Sequence, residues 1–202
     1  RPSPSQQIKF FKETGEKLVI GTTRPELLCS CGMVIFNPED TRYKHLDGKT
    51  AITPVYHKEV LIKAHPMAQM DKGTGLVMMC SVGDLSDIRF FREQKLQPVI
   101  SISAEGTMNG NAGMLSGLRV SDARKKIIEE LKNAGLLLNQ REVMHTTPIC
   151  ERSKDPVEFI SMKEFYVKQV EFKDKLIEIQ KKINFYPEKT RTILLSWIDS
   201  IS

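Results

Sequence analysis

No apolar run among the 202 residues approaches the roughly 20 needed to cross a bilayer. The first residues, Arg1-Pro2-Ser3-Pro4-Ser5, contain no hydrophobic stretch of the kind a secretory signal requires and read as the cut end of a larger chain. Cysteine is scarce: Cys29, Cys31, Cys80 and Cys150 are the whole supply, and no two form a C-x-x-C pair. That argues against a disulfide scaffold and for reduced thiols in a cytoplasmic protein. The Cys29-x-Cys31 pair has no second pair nearby, so buried packing is favoured over a metal site for it. No block of like charge stands out. The four histidines (His45, His57, His65 and His145) show no Ser-His-Asp or Cys-His grouping, and loop or surface roles suit them.

What is present is the balance of a soluble globular chain able to bury a core, with 40% hydrophobic and 27% charged residues. The net charge of +5 favours a polyanionic partner only mildly, and a solvated surface explains it equally.

The first half reads as strands. Ile8–Phe11 and Lys17–Gly21 flank a turn signal at Thr14-Gly15. Met33–Phe36, Thr50–Val55, Glu59–Ala64 and Pro98–Ser103 follow. The continuous apolar run Leu76–Cys80 predicts a strand buried on both faces. Two helices interrupt them. One runs from Ser86 to about Lys95; the other runs from Ser121 to Ala134, with Ala123, Ile127, Ile128 and Leu131 on one face, Ser121 as cap and Gly135 as stop. A glycine-rich loop, 105–113, joins them. From Met144 the character changes: 161–182 is charged and helix-like, Tyr186-Pro187 is a break, and Thr190–Ile201 predicts a last amphipathic helix. The expected fold is mainly β with peripheral helices (α+β), a barrel-like core over 1–145 and a helical arm over 146–202. Irregular alternation of strands and helices argues against a doubly wound sheet.

Three clusters carry polar chemistry. Thr22-Thr23-Arg24-Pro25-Glu26 gathers hydroxyls, a guanidinium and a carboxylate at a strand end; a capped turn accounts for it as well. Gly73-Thr74-Gly75 lets backbone approach a ligand, or simply makes a tight turn. Asp84 and Asp87 sit at a helix start, where carboxylates are stabilised as anions, and two of them exceed the needs of one cap.

Taken in order, these segments resemble the editing insertion shared by valyl-, isoleucyl- and leucyl-tRNA synthetases. The matching pieces are G-T-T-R-P-E-L-L from Gly21, N-P-E-D-T-R-Y-K from Asn37, G-T-G-L-V from Gly73, G-D-L-S-D from Gly83, E-G-T-M-N from Glu105 and A-G-M-L-S-G-L from Ala112. The tail pieces F-Y-P-E-K from Phe185 and L-S-W-I-D-S-I from Leu195 complete it. Asp40-x-Arg42-Tyr43-Lys44 and the tail resemble the valyl branch; the leucyl branch shares T-T-R-P and is the runner-up. Leu27, Met78, Cys80 and Gly83 depart from the bacterial valyl pattern, Gly83 resembling the archaeal one. Ser153 stands where the family often has a second cysteine after Cys150, so no zinc is expected.

The resemblance implies a barrel-like domain that hydrolyses the ester of a mischarged tRNA(Val), chiefly threonyl-tRNA. It implies that Asp87 grips the substrate ammonium, assisted by Asp84 and Thr22. It implies that Thr23, Arg24, Glu26, Gly73, Thr74, Gly75 and Cys80 contact the amino acid or the terminal nucleotide. The implied partners are the tRNA(Val) acceptor end, the misplaced threonine and the rest of the synthetase; no membrane is implied. No cofactor is implied for editing, ATP and Mg serving only an aminoacylation part whose H-I-G-H and K-M-S-K-S signatures this sequence does not contain. A non-catalytic tRNA-binding module is the competing class.

Overall fold

The computed structural model describes residues 2–12, 15, 17–144 and 147–201. Thr14 of the expected turn and His145 lie outside these. Contacts divide the chain into two compact units, Arg1–Ser161 and Met162–Ser202.

The first unit is a nearly closed, barrel-like mixed sheet with helices around it. Its strands are β1 (Pro2–Lys12), β2 (Lys17–Thr22), β3 (Cys31–Phe36), β4 (Thr50–Ile52), β5 (Glu59–Ala64), β6 (Leu76–Cys80) and β7 (Leu137–Met144). The order is β2-β1-β4-β5-β3-β6, with β7 also on β1. Among the described residues only β3 and β5 pair in parallel. β2 and β6, the two ends of that order, approach each other and nearly close the barrel.

Alternation fixes what faces inward. On β1, Gln6, Ile8 and Phe10 are buried, and across the register Thr22, Ile20 and Leu18 of β2 are buried beside them. β3 and β6 are covered on both faces, as the apolar run of 76–80 predicts. Val34, Phe36, Leu76, Met78 and Cys80 fill the barrel. Met33, Ile35 and Met79 turn the other way, against Phe90 and Phe91 of helix α1 (Leu85–Glu93). Each fully buried aromatic there stabilises the fold by about 2 kcal/mol. Gly32 is the close-packing point, since a Cβ there would meet the Phe91 ring.

Helix α2 (Val120–Asn133) buries Val120, Ala123, Ile127 and Leu131. Its N-cap is Arg119, without a side-chain cap, and not Ser121. Gly135 takes the expected left-handed turn at φ 66°.

Two further expectations are corrected, and one strand is added. Residues 98–103 form no strand; Ile102 makes only an isolated bridge to Met108. Backbone pairing reaches only Ser101 and Ser103, through Asn109 N and Thr107 O; at 99–100 the Asn109 and Asn111 amides donate to the Ile100 carbonyl and Ser81 Oγ accepts from Val99 N, so side chains replace a strand partner there. Strand β4 stops at Ile52, because Val55 and His57 adopt positive φ in the turn that follows. Leu137–Met144 is a strand that its polar sequence does not announce; pairing with β1 makes it one.

In the second unit, charge overstated helix. Only a 3-10 turn at Val170–Phe172 and helix α3 (Lys173–Gln180) occur within 161–182. Helix α4 (Lys189–Ser200) matches the predicted last helix, and Arg191 ties it to α3 through the Gln180 carbonyl and side-chain amide oxygens at 2.9 and 2.8 Å. Among the described residues no helix is long and apolar enough to cross a membrane.

Candidate functional site

A cleft of about 810 Å³ opens at the rim of the barrel, a size suited to a small organic group. Its walls come from the start of β1 (Pro4, Ser5), the end of β2, the Gly73 loop, β6, the start of α1, Arg124 of α2 and the segment 156–159.

The end of β2 is built around a hydroxyl. Thr22 Oγ1 accepts the Arg24 amide at 3.0 Å, and Pro25 then opens a 3-10 helix, Pro25–Ser30. The capped turn and the polar cluster at a strand end therefore occur at once. Thr22, Thr23 and Arg24 line the cleft.

Glu26, by contrast, is wholly buried beneath it. A carboxylate in that position needs donors, and it has two arginines. Arg24 Nε donates to Oε1 at 2.6 Å. Arg124 adds a two-point contact, Nε to Oε2 at 2.9 Å and an η-nitrogen to Oε1 at 2.7 Å. A second η-nitrogen contact joins Arg24 to Glu158 Oε2 at 2.6 Å. Burial works to lower the Arg24 pKa, but Glu26 and Glu158 outweigh it and hold the guanidinium above its ordinary value. Arg124 and Glu158 escape sequence reading. One sits on a helix whose apolar face dominates its pattern, and the other lies 134 residues from its partner.

The start of α1 supplies the carboxylates. Asp84 is the N-cap; its Oδ1 accepts the Asp87 amide at 2.9 Å and the Ser86 hydroxyl at 2.6 Å. Asp87, half-buried in the first turn, accepts the Cys80 amide at 3.2 Å. Loss of hydration raises its pKa to about 7, with the Asp84 charge adding to the rise; the Cys80 and Asp84 backbone contacts and Arg24 pull the other way. Gly83 makes room for this carboxylate, because a Cβ there would collide with Asp87 Oδ2.

Cys80 also lines the cleft, packed in β6. Its thiol is pushed well up, first by hydrogen bonding to Cys31 and then by burial, so it stays protonated and is no nucleophile. Among the described residues, no three His, Cys, Asp or Glu side chains converge as metal donors.

The glycine loop divides. Gly73 lines the cleft, whereas Thr74 faces a smaller cavity of about 330 Å³ beside Tyr43. Tyr43 donates to the Thr74 carbonyl at 2.7 Å, and Arg42 clamps Asp40 through contacts of 2.9 and 2.7 Å. Gly75, at φ 86°, packs against that clamp, where a Cβ would lie 2.7 Å from Arg42. The Asn37–Lys44 motif is thus a brace for the loop.

So the cleft unites Thr22, Thr23, Arg24, Gly73, Cys80, Asp84 and Asp87, and leaves Glu26, Thr74 and Gly75 behind its wall. A strand-end arginine, a half-buried carboxylate poised to ionise near neutrality and backbone in close approach suit a small cationic group attached to an anionic polymer.

No family model matches the chain. Among characterised proteins, the valine--tRNA ligase of Aeropyrum pernix is 46% identical over 195 residues, 96% of this chain and 24% of that protein. That of Pyrobaculum aerophilum is 45% identical over the same shares, and that of Rickettsia typhi is 41% identical over 201 residues, 99% of this chain and 25% of that protein. The chain spans about a quarter of the length of the curated relatives it matches.

Proposed function

Since the chain belongs to the valine--tRNA ligase family, as a segment of about 200 residues, we propose that its cleft hydrolyses the ester linking a wrong amino acid, chiefly threonine, to tRNA(Val). The carrying observation is that Asp87 stands half-buried in one cleft with Thr22 and Arg24.

Threonine differs from valine by a hydroxyl in place of a methyl. A pocket shaped for valine cannot strongly reject it, and this pair is itself the standard illustration of that limit. A second site that hydrogen-bonds the hydroxyl discriminates the other way, because valine leaves its polar groups unpaired.

Asp87 in ionised form binds the α-ammonium, and the incoming cation completes its ionisation. Thr22 Oγ1 already accepts from the Arg24 amide, so its own hydroxyl proton is directed to the substrate or to water. Asp84 holds the first turn of α1 and with it the Asp87 backbone. Water attacks the ester carbonyl carbon, the bond to the ribose oxygen breaks, and a proton from the water ends on that oxygen. The products are free threonine and a tRNA with both terminal hydroxyls. An aminoacyl ester is activated already, so positioning of water is the main demand on the protein. Arg24 meets the phosphate or terminal adenosine.

The test is deacylation by the 202-residue chain of threonyl-tRNA(Val) against valyl-tRNA(Val). Rapid loss of threonine with valine spared is expected. Equal loss of both ends the selectivity claim, and full activity in Asp87→Ala ends the assigned grip. Binding of tRNA without hydrolysis favours the competing RNA-binding module.

A further inference from the structure

We propose that Arg24 and Arg124, both fixed on Glu26, form a binding site for a backbone phosphate of the acceptor strand, and that Glu158 occupies this site in the free protein as a carboxylate stand-in. The inference rests on the cleft receiving an RNA end and adds to it Arg124 as a ligand and Glu158 as a displaceable one.

The two glutamates differ in a way that decides their roles. Glu26 is 0% exposed and gives both oxygens to guanidinium groups, so it cannot leave without stranding buried charge. Glu158 is 21% exposed and bonds Arg24 through one oxygen at the cleft wall. It lies in a stretch without regular structure beyond the isolated Ile149–Pro156 bridge. Such a segment shifts at small cost.

Charge gives the same result. With Glu158 in place, the four side chains are neutral as a set. With Glu158 withdrawn, one positive charge remains, spread over two arginines on the cleft wall whose side chains are 23% and 33% exposed. Their planar donor arrays suit a phosphate oxygen pair as well as a carboxylate. A phosphodiester therefore substitutes for Glu158 without leaving either arginine unpaired. The carboxylate keeps the site preorganised while empty, and an incoming strand must displace it.

The experiment measures binding of a short single-stranded RNA ending in CCA, carrying no amino acid, to the 202-residue chain, by fluorescence anisotropy over a series of salt concentrations. Glu158→Gln is expected to bind about tenfold more tightly than the parent, its competitor having lost its charge. Arg124→Gln is expected to bind about tenfold more weakly and with a shallower salt dependence. Unchanged or weaker binding by Glu158→Gln overturns the proposal and makes Glu158 a structural brace. Should Arg124→Gln melt below the assay temperature, the Glu158→Gln arm decides alone. Deacylation, read separately, distinguishes the two readings. A Glu158 effect without hydrolysis leaves the anion site and removes the editing reading; hydrolysis without a Glu158 effect does the reverse.

Discussion

Gly83 and Asp87 are locked together: the carboxylate of one fills the space a Cβ of the other would take. The φ of Gly83 is not left-handed, so its backbone suits any residue and only the contact with Asp87 forbids a side chain. Gly83→Ala is expected to swing Asp87 off the Cys80 amide. Deacylation efficiency should drop about tenfold while the melting temperature shifts little. Unaltered efficiency would remove the positioning role of Gly83.

Asp87 titrates near neutrality, and the direction of its effect on activity is set. With its pKa raised to about 7 by burial, the ammonium-binding form is lost as pH falls through that value. Efficiency of threonyl-tRNA deacylation, read as kcat/KM, should rise between pH 6 and 8 with a limb near 7. Asp87→Asn should lose both the limb and most of the activity.

The same group gives a stability prediction of opposite sign. Its folded-state pKa lies above its ordinary value of 3.8, so the folded state holds more protons between there and about 7. The stabilisation is present at acid pH and is lost as pH rises through that window. Asp87→Asn, neutral throughout, should gain on the parent as pH rises from 5 to 8, by about 1 kcal/mol after allowance for solvent screening. Urea unfolding at both pH values measures it.

Glu26 holds two guanidinium groups from beneath. Glu26→Gln leaves Arg124 without its carboxylate and Arg24 with Glu158 alone, and should destabilise the fold by about 3 kcal/mol. Chemical denaturation measures this; a change below about 0.5 kcal/mol would show the network to be incidental.

Gly75 meets two demands that alanine cannot meet together, a φ of 86° and close packing on Arg42 and Asp40. Gly75→Ala should lower stability by about 2 kcal/mol. It should also weaken RNA binding through displacement of Gly73, which shares the loop.

The barrel was legible where one face is buried. Alternation on β2 and β5 and the doubly covered run of β6 carry their own pattern, and Pro25, Asp84 and Gly135 mark turns by local chemistry alone. Leu137–Met144 was not legible, because its residues are mostly exposed and its partner on β1 lies more than 120 residues upstream. The expected strand 98–103 failed for the complementary reason: its backbone partner at 107–109 reaches only 101–103, and at 100 asparagine side chains supply the hydrogen bonds. In the cleft, the clusters at 22–26 and 84–87 were visible as polar groups at element ends. Arg124 and Glu158 were not, since a charge on a helix face or an irregular segment looks like solvent exposure until its partner is known. Glu26, Thr74 and Gly75 sit behind the wall because adjacent residues point to different sides of it.

The bond between Arg24 and Glu158 closes the cleft across 134 residues of sequence. The walls come from both ends of the first unit, so no contiguous fragment of it contains the whole constellation. A fragment that ends before Glu158 therefore presents an unfinished pocket, with Arg24 bonded to Glu26 alone.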